Sequence, residues 1–235
     1  MAAVLYLVAT PIGNPEDITL RAVRALQEAD LLVCEEQKEG MRLLRHLGID
    51  KPVELLNEHN EAAATPAILQ QLIDGKSVAL FSDAGTPVFS DPGRLLVERA
   101  ARRNIRVVPI PGASSLLPAL TASGFPINRF VFHGFLSPKR NRRIVELQQL
   151  RSETRTVVLM DTPYRLLALL RDIGDVLGDR RRMCVAFDLT LPSEEIVHGT
   201  ARELLLHFSR SERKGEFVVV LEGTGGTEGR PQGRF

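Results

Sequence analysis

The apolar residues of the chain fall into short continuous runs, and these alternate with segments in which apolar residues recur at helical spacing. In the first half the runs contain few polar residues, so they do not show the alternation of a half-exposed strand. Strands are therefore predicted at 4–9, 30–35, 52–56, 76–81 and 105–110, and helices at 18–29, 42–46, 62–74 and 94–103. This order predicts an α/β fold with a mostly parallel sheet that is covered on both faces.

In the second half, strands and helices do not alternate regularly, and several predicted strands follow one another closely. Strands are predicted at 129–136, 154–161, 181–187, 193–199 and 215–223, and helices at 138–150, 163–177 and 201–208. Ser137 and Pro138 would provide the cap and the first residue of one of these helices. We expect two α/β domains, residues 1–115 and 116–223, the second with a mixed sheet. The Gly-rich polar tail 224–235 is expected to be disordered.

Composition excludes several classes of protein. The 235 residues are 44% apolar and 25% charged, which suits a soluble globular protein, and the net charge of +1 gives no general attraction to nucleic acid or membrane. Cys34 and Cys184 lie in apolar runs, without the spacing of a metal site. The first apolar run is too short for a signal peptide or a membrane span. We expect a cytoplasmic protein that contacts no membrane and needs no metal.

The loops that follow the predicted strands are long and rich in Gly and Pro. In a parallel sheet they emerge at the same edge, where ligands bind. They contain neither the phosphate-binding P-loop pattern nor G-x-G-x-x-G, and they have few lysines. This favours a ligand that is met by backbone and small side chains, such as adenosine with a sulfonium-bearing tail, although each loop alone could be merely a long turn. The loops are 10–17, 35–40, 82–93 and 111–115.

Several motifs resemble one known family over residues 4 to 223. They are "LYLVATPIGNPEDITLRA", "HNE", "SDAGTPVFSDPG", "VVPIPGASS", "SGFPINRFVFHGFLSPK", "TPYRL", "IVHGT" and "KGEFVVVLEG". The chain resembles the tetrapyrrole methylase (class III) superfamily of S-adenosylmethionine-dependent methyltransferases, and within it the branch of ribosomal RNA small subunit methyltransferase I. That branch methylates a ribose 2′-hydroxyl in 16S rRNA. The resemblance implies two α/β domains, a cofactor in the cleft between them, and a homodimer that acts on rRNA or the small ribosomal subunit.

The resemblance also implies a set of cofactor contacts at matching positions. The residues expected to bind S-adenosylmethionine are Pro11, Gly13, Asp83, Ala84, Gly85, Ser114 and Ser115 in the first domain, and Met160 and Ala186 in the second. The length of the 82–93 loop would then follow from its need to cross the strand ends against the cofactor before the next helix begins.

The sequence departs from the family pattern on the substrate side. The Glu-Asp-Thr-Arg of the family reads Glu-Glu-Gln-Lys at 35–38, and its Arg-Glu-Leu-Thr-Lys reads Phe-Asp-Leu-Thr-Leu at 187–191. Methyl transfer needs an aligned acceptor, and a base would assist a ribose hydroxyl. The candidates for that base and its neighbours are Glu36, Lys38, His59, Glu61 and Asp83. We favour Glu36 as base or orienter and Lys38 as a phosphate contact, each of which could instead be a solvated loop position, and His59 could instead cap the following helix.

The run "SPKRNRR" places four cations at a predicted helix start, where they oppose the helix dipole. This indicates an anionic partner, and Lys139, Arg140, Arg142 and Arg143 are expected to grip RNA phosphate, unless they form a merely solvated basic face. No aromatic residue is interleaved with them, which favours backbone contact over base stacking. Nearby, Tyr164 and Arg165 would begin a helix, and Arg165 could pair with Asp161.

Three functions therefore stay open. The first is an rRNA ribose methyltransferase, and the second is a methylase of a small molecule such as a tetrapyrrole. The third is a non-catalytic paralogue that binds cofactor or RNA, which the Glu-Glu-Gln-Lys substitution at 35–38 keeps open.

Overall fold

A computed structural model describes residues 3–210 and 214–225. The chain divides into two compact units, which meet in sequence between Ser114 and Ser115. No helix in the described ranges is both long and apolar enough to cross a membrane.

Unit 1 contains a five-stranded sheet in which every strand pair is parallel, in the order β3-β2-β4-β1-β5. Its strands are β1 Val4–Val8, β2 Leu31–Cys34, β3 Val53–Leu55, β4 Val78–Phe81 and β5 Arg106–Ile110. Its helices are α1 Leu20–Glu28, α2 Gln37–His46, α3 Glu61–Ile73 and α4 Arg94–Arg102. Because β1 and β4 are neighbours at the centre of the sheet, the loops that follow them emerge side by side.

Helices cover both faces of this sheet, as the unbroken apolar runs predicted. Leu26 of α1 and Leu44 of α2 belong to one apolar core, while Leu72 of α3 and Leu96 of α4 belong to another that includes different strand residues. Strand residues point alternately to the two faces, so a strand buried on both sides is apolar at every position.

Unit 2 contains a mixed five-stranded sheet in the order β6-β7-β10-β8-β9. Only the β6–β7 pair is parallel, since β10 runs antiparallel to β7 and β8, and β9 antiparallel to β8. The strands are β6 Phe130–Phe135, β7 Thr156–Asp161, β8 Arg182–Phe187, β9 Glu195–Thr200 and β10 Phe217–Leu221. The helices are α5 Leu116–Ser123, α6 Arg140–Gln149, α7 Leu166–Leu177 and α8 Ala201–Ser209. The mixed sheet confirms the predicted fold class.

Four helix starts were predicted wrongly, and α5 was not predicted. Helix α1 begins at Leu20 rather than at 18, because the Thr19 side chain accepts the Ala22 amide at 3.1 Å and caps the helix there. Helix α2 begins at Gln37 rather than near 42, because its first turn packs on the end of β2; a Cβ at Gly40 would lie 2.6 Å from the Cys34 Sγ atom. Helix α6 begins at Arg140, because the carbonyls of Ser137 and Pro138 accept hydrogen bonds from the Arg143 guanidinium. Helix α7 begins at Leu166, one residue after Arg165.

The first residue of the tail is bound to unit 2. Of the tail 224–235, Thr224 donates its amide N–H to the Glu153 carbonyl at 2.9 Å, and residues 226–235 lie outside the described ranges, so the predicted disorder is untested there.

Both cysteines are free and buried. Burial raises the pKa of Cys34 to about 12 and that of Cys184 to about 11.

Candidate active site

The loop after β4 crosses the end of β1 and is fastened there. Thr10 and Gly85 exchange two backbone hydrogen bonds, of 2.9 and 3.0 Å, and the Thr10 hydroxyl donates to the Ser82 carbonyl at 2.9 Å. The Thr86 hydroxyl donates to the Ala113 carbonyl, so the loop after β5 is joined as well. The predicted strand-end loops of β1, β4 and β5 therefore form one connected surface.

The backbone of the 82–93 loop explains its composition. Gly85 and Gly93 have φ of +85° and +114°, and a Cβ at Gly93 would lie 2.6 Å from Leu80 Cδ2. Val88 and Ser90 also have positive φ, at 70° and 69°, although a β-branched residue rarely adopts this conformation. Backbone strain of this kind costs of order 1–3 kcal/mol per residue and collects at functional loops.

Glu61, one of the predicted catalytic candidates, holds the end of the same loop. Glu61 Oε1 accepts hydrogen bonds from the amides of Gly93 and Leu95, each at 2.9 Å, at the beginning of α4. A carboxylate is favoured there because the first amides of a helix lack partners within the helix. Glu61 therefore has a structural role that accounts for its position.

A cavity of about 300 Å³ lies among the loops after β1 and β4 and one face of α2. Four of the predicted cofactor-binding residues line it: Pro11, Gly13, Asp83 and Ala84. The sequence prediction missed the contribution of α2, which is Glu39, Arg42, Leu43 and His46. Arg42, Leu43 and His46 follow Glu39 by three, four and seven residues, so all four lie on one face of the helix. This spacing would have predicted their common position if α2 had been predicted to begin at Gln37.

Acidic side chains gather beside this cavity. The Glu36 amide donates to Asp83 Oδ1 at 3.3 Å and so links the start of α2 to the β4 loop. Burial raises the pKa of the Asp83 carboxyl, and the neighbouring charges of Glu36 and Asp91 raise it further. Burial and the charges of Asp91 and Asp83 likewise raise the pKa of Glu35. Groups held away from their ordinary pKa beside a cavity are candidates for proton transfer.

The predicted catalytic pair lies at the first turn of α2. Glu36 occupies the N-cap position with an exposed side chain that caps nothing, and Lys38 is exposed in the first turn. His59 is exposed beside Glu58, at 3.6 Å, and does not line the cavity. It is not the cap of α3 either, because Asn60 occupies that position and the Asn57 side chain accepts from the His59 amide.

The remaining predicted cofactor residues lie at the domain junction and in unit 2. Ser114 and Ser115 are half-buried at the end of the β5 loop. Met160 of β7 and Ala186 of β8 are both paired with Val218 of β10, one on each side. Directly paired residues share a sheet face, so Met160 and Ala186 flank Val218 in one row.

The four basic residues 139, 140, 142 and 143 at the start of α6 do not share one environment: some pair with acids of α7, and others are exposed. Arg143 is only 5% exposed and donates to Asp172 of α7 at 2.8 Å, which corrects the expectation that it lies on a surface face. Arg140 also donates to Asp172 at 2.8 Å, although its side chain stays 61% exposed. Lys139 and Arg142 are exposed, and no ion pair to either is found in the described ranges. The dipole penalty of these arginines is thus partly offset by acids of α7, a contact that the sequence could not show.

Comparisons with known proteins show the family to which the chain belongs. The family of tetrapyrrole (corrin/porphyrin) methylases matches residues 4–205. A ribosomal RNA small subunit methyltransferase I from Synechocystis is 45% identical over 220 residues, which are 94% of this chain and 79% of that protein. A protein of the same name from Thermotoga maritima is 44% identical over 219 residues, 93% of this chain and 98% of that protein.

Solved structures show the same fold at low sequence identity. A diphthine synthase has a TM-score of 0.73 at 18% identity, covering 93% of this chain and 90% of its own. A cobalt precorrin-4 methyltransferase has a TM-score of 0.65, also at 18% identity, covering 94% and 95%. The motifs predicted this family, and the match over most of the chain confirms it: the chain belongs to the tetrapyrrole (corrin/porphyrin) methylase family and is a methyltransferase.

Proposed function

We propose that this chain transfers the methyl group of S-adenosylmethionine to a ribose 2′-hydroxyl of small-subunit rRNA. The observation that carries the proposal is the fastened loop of residues 82–87 beside the cavity, in a chain 44–45% identical to proteins named as small-subunit rRNA methyltransferases. We further propose a cytoplasmic homodimer, as the family resemblance implies.

The strand-end loops fit such a cofactor. Gly85 is buried, with both backbone groups bonded to Thr10, and a Cβ there would lie 3.3 Å from Ile12. A Cβ at Gly112 would lie 2.9 Å from the Ala9 side chain, so neither position has room for a larger residue. Pro11, Gly13 and the 83–85 segment would hold the cofactor through backbone and small side chains, with Ser114 and Ser115 from the β5 loop. The row of Met160 and Ala186 is the part of unit 2 proposed to contact it. When bound, this cofactor supplies a methyl group activated by the sulfonium.

Glu36 is the proposed base for the acceptor hydroxyl. It is exposed, and its side chain is not used as a helix cap. Its amide is bound to Asp83 of the cofactor loop, and its charge helps to raise the pKa of Asp83, so its carboxylate lies close to that loop. Removing the proton of a hydroxyl makes it a better nucleophile, and alignment with the methyl group supplies much of the remaining rate. Lys38, two residues further on in the first turn of α2, would hold an adjacent phosphate.

The test is methylation of isolated small ribosomal subunits with radiolabelled S-adenosylmethionine, followed by mapping of 2′-O-methyl groups through their resistance to alkaline cleavage. We expect one protected ribose. Glu36→Gln should lower the single-turnover rate by about 10²- to 10⁴-fold, the usual contribution of a general base, with unchanged cofactor affinity. Glu54→Gln, which removes an exposed acid from β3, is the matched control.

Two results would change this assignment. Absence of transfer to the subunit by wild-type protein would reject the rRNA substrate and favour a small-molecule acceptor or a non-catalytic role. The second of these is kept open by Gln37 and Lys38 at positions where the family pattern has Thr and Arg. Transfer with an unchanged rate in Glu36→Gln would remove Glu36 from the mechanism and direct attention to Asp83, whose pKa is raised by burial.

A further inference from the structure

The ring of Tyr164 is unusually exposed for a large aromatic side chain. It is 76% exposed, more than any other Phe or Tyr in the described ranges, and it lies three residues after the end of β7. Exposure of this degree removes any role of the ring in the core. Met160, four residues before Tyr164, lies near the end of β7 and belongs to the proposed cofactor row.

The turn that carries Tyr164 is fixed by contacts among Asp161, Thr162 and Arg165. Asp161 is 3% exposed, accepts the Thr162 amide at 2.7 Å, and forms an ion pair with Arg165. The Arg165 amide donates to the Thr162 carbonyl at 3.0 Å, and its Nε atom donates to the Thr162 hydroxyl at 3.1 Å. A buried acid and a half-buried arginine thus fix the backbone on both sides of the exposed ring. A surface ordered before binding loses less conformational entropy when a partner arrives.

The Lys214 side chain places a cation over the Tyr164 ring. The Lys214 Nζ atom lies 5.4 Å from the centroid of the Tyr164 ring, within the usual range of a cation–π contact. The two residues are far apart in sequence, but Phe217 at the start of β10 is paired with Asp161 at the end of β7. The antiparallel register therefore brings the segment before β10 to the turn after β7.

We propose that Tyr164 and Lys214 form a stacking platform for an unpaired base of the RNA substrate, with Lys214 free to contact the adjoining phosphate. This rests on the proposed rRNA substrate. Sequence-specific RNA recognition uses aromatic rings on which unstacked bases lie, and a cation beside the ring serves the backbone of the same nucleotide. Tyr164 is therefore expected to select or position a base near the methylated ribose, and it is not a proton-transfer group.

Tyrosine fluorescence tests the platform directly. The chain contains two tyrosines and no tryptophan, so in the Tyr6→Phe variant all tyrosine emission comes from Tyr164. Adding small-subunit rRNA fragments that contain the methylated position should quench this emission, because a stacked base deactivates the ring. A fully paired RNA duplex of equal length and charge should quench it much less, since its bases are not available for stacking.

Substitutions then measure the contribution of the ring. Tyr164→Ala should weaken RNA affinity by roughly 5- to 150-fold, the range for loss of one base–aromatic stack. Tyr164→Phe should retain the affinity, because stacking does not need the hydroxyl. Leu206→Ala, which shortens another exposed side chain in unit 2, is the control and should change nothing. All variants should melt like the wild type, since the altered side chains are mostly in solvent.

The outcomes separate this inference from the proposed function. If wild-type protein methylates the subunit while Tyr164→Ala binds and methylates equally well, the platform is wrong and the proposed function stands. If Tyr164→Ala loses cofactor affinity and keeps RNA affinity, the ring contacts the cofactor and the platform is also wrong. If the rRNA fragments fail to quench Tyr164, no base stacks there. Quenching by rRNA fragments without any methyl transfer would support the platform and reject the enzymatic proposal.

Discussion

At residue scale, Gly85 is a position where a side chain has little room. Its φ of +85° disfavours any other residue, and a Cβ would lie 3.3 Å from Ile12 on the proposed cofactor surface. We expect Gly85→Leu to abolish S-adenosylmethionine binding as measured by calorimetric titration. Gly48→Leu is a matched control, because Gly48 has a similar φ of +68° but open space around its Cβ position. If Gly85→Leu binds the cofactor like Gly48→Leu does, residues 82–87 are not the cofactor loop.

Glu35 gives a prediction of pH dependence. Burial and the charges of Asp91 and Asp83 raise its pKa, so the folded state binds this proton more tightly than the unfolded state. Stability from this group therefore falls as pH rises from the ordinary carboxyl value through the raised one. Glu35→Gln should melt at a higher temperature than wild type at pH 8, and the difference should shrink as the pH approaches 4. A difference independent of pH would show that the charge of Glu35 is not its cause.

At the scale of elements, adjacent arginines of α6 should behave very differently. Arg143 joins α6 to α7 through Asp172 and also bonds the Ser137 and Pro138 carbonyls, whereas Arg142 is exposed. Removing one partner of a buried ion pair costs about 3–5 kcal/mol, and each kcal/mol lowers the melting temperature of a chain of this size by about 2–4 °C. Arg143→Gln should therefore lower it by roughly 6–20 °C, while Arg142→Gln should leave it within about 2 °C.

The same comparison tests the RNA role of the α6 run. Arg142→Gln should reduce the salt dependence of RNA binding if Arg142 contacts a phosphate, by a slope of about 0.7 for single-stranded RNA. Equal melting temperatures for Arg142→Gln and Arg143→Gln would contradict the structural division between them.

Much of the secondary structure was predictable from apolar periodicity, because strands buried on both faces leave an unbroken apolar run. The errors lie where tertiary contacts decide. The segment 35–40 is loop-like in sequence, yet it contains the first turn of α2, which Gly40 lets pack on Cys34. The α6 run looks uniformly basic, and only the position of Asp172 separates Arg143 from its neighbours. Glu61 could not be assigned to the start of α4 without knowing that α3 and α4 lie side by side.

At the scale of the whole molecule, unit 1 has an apolar core on each face of its sheet, and unit 2 has an apolar core of its own. The cofactor is proposed to bind the native chain and not the unfolded one, so it should raise the melting temperature by mass action. At a concentration of 100 times its Kd the gain is about 2.7 kcal/mol, or roughly 5–10 °C for a chain of this size. Circular dichroism melts with and without S-adenosylmethionine would measure the shift, and Gly85→Leu should show none. A wild-type protein that melts identically under both conditions does not bind this cofactor.

The chain's thiol chemistry has a practical consequence. Both cysteines are buried, with pKa values of about 12 and 11, so neither is present as the reactive thiolate in neutral solution. The native cysteines are therefore not expected to react with maleimide, so they need not be removed before labelling. A single substitution at an exposed position, such as Leu206→Cys, would give one attachment point for a fluorophore or a photo-crosslinker. The proposed docking on the small ribosomal subunit could then be tested by energy transfer in a molecule that differs from the wild type at one residue.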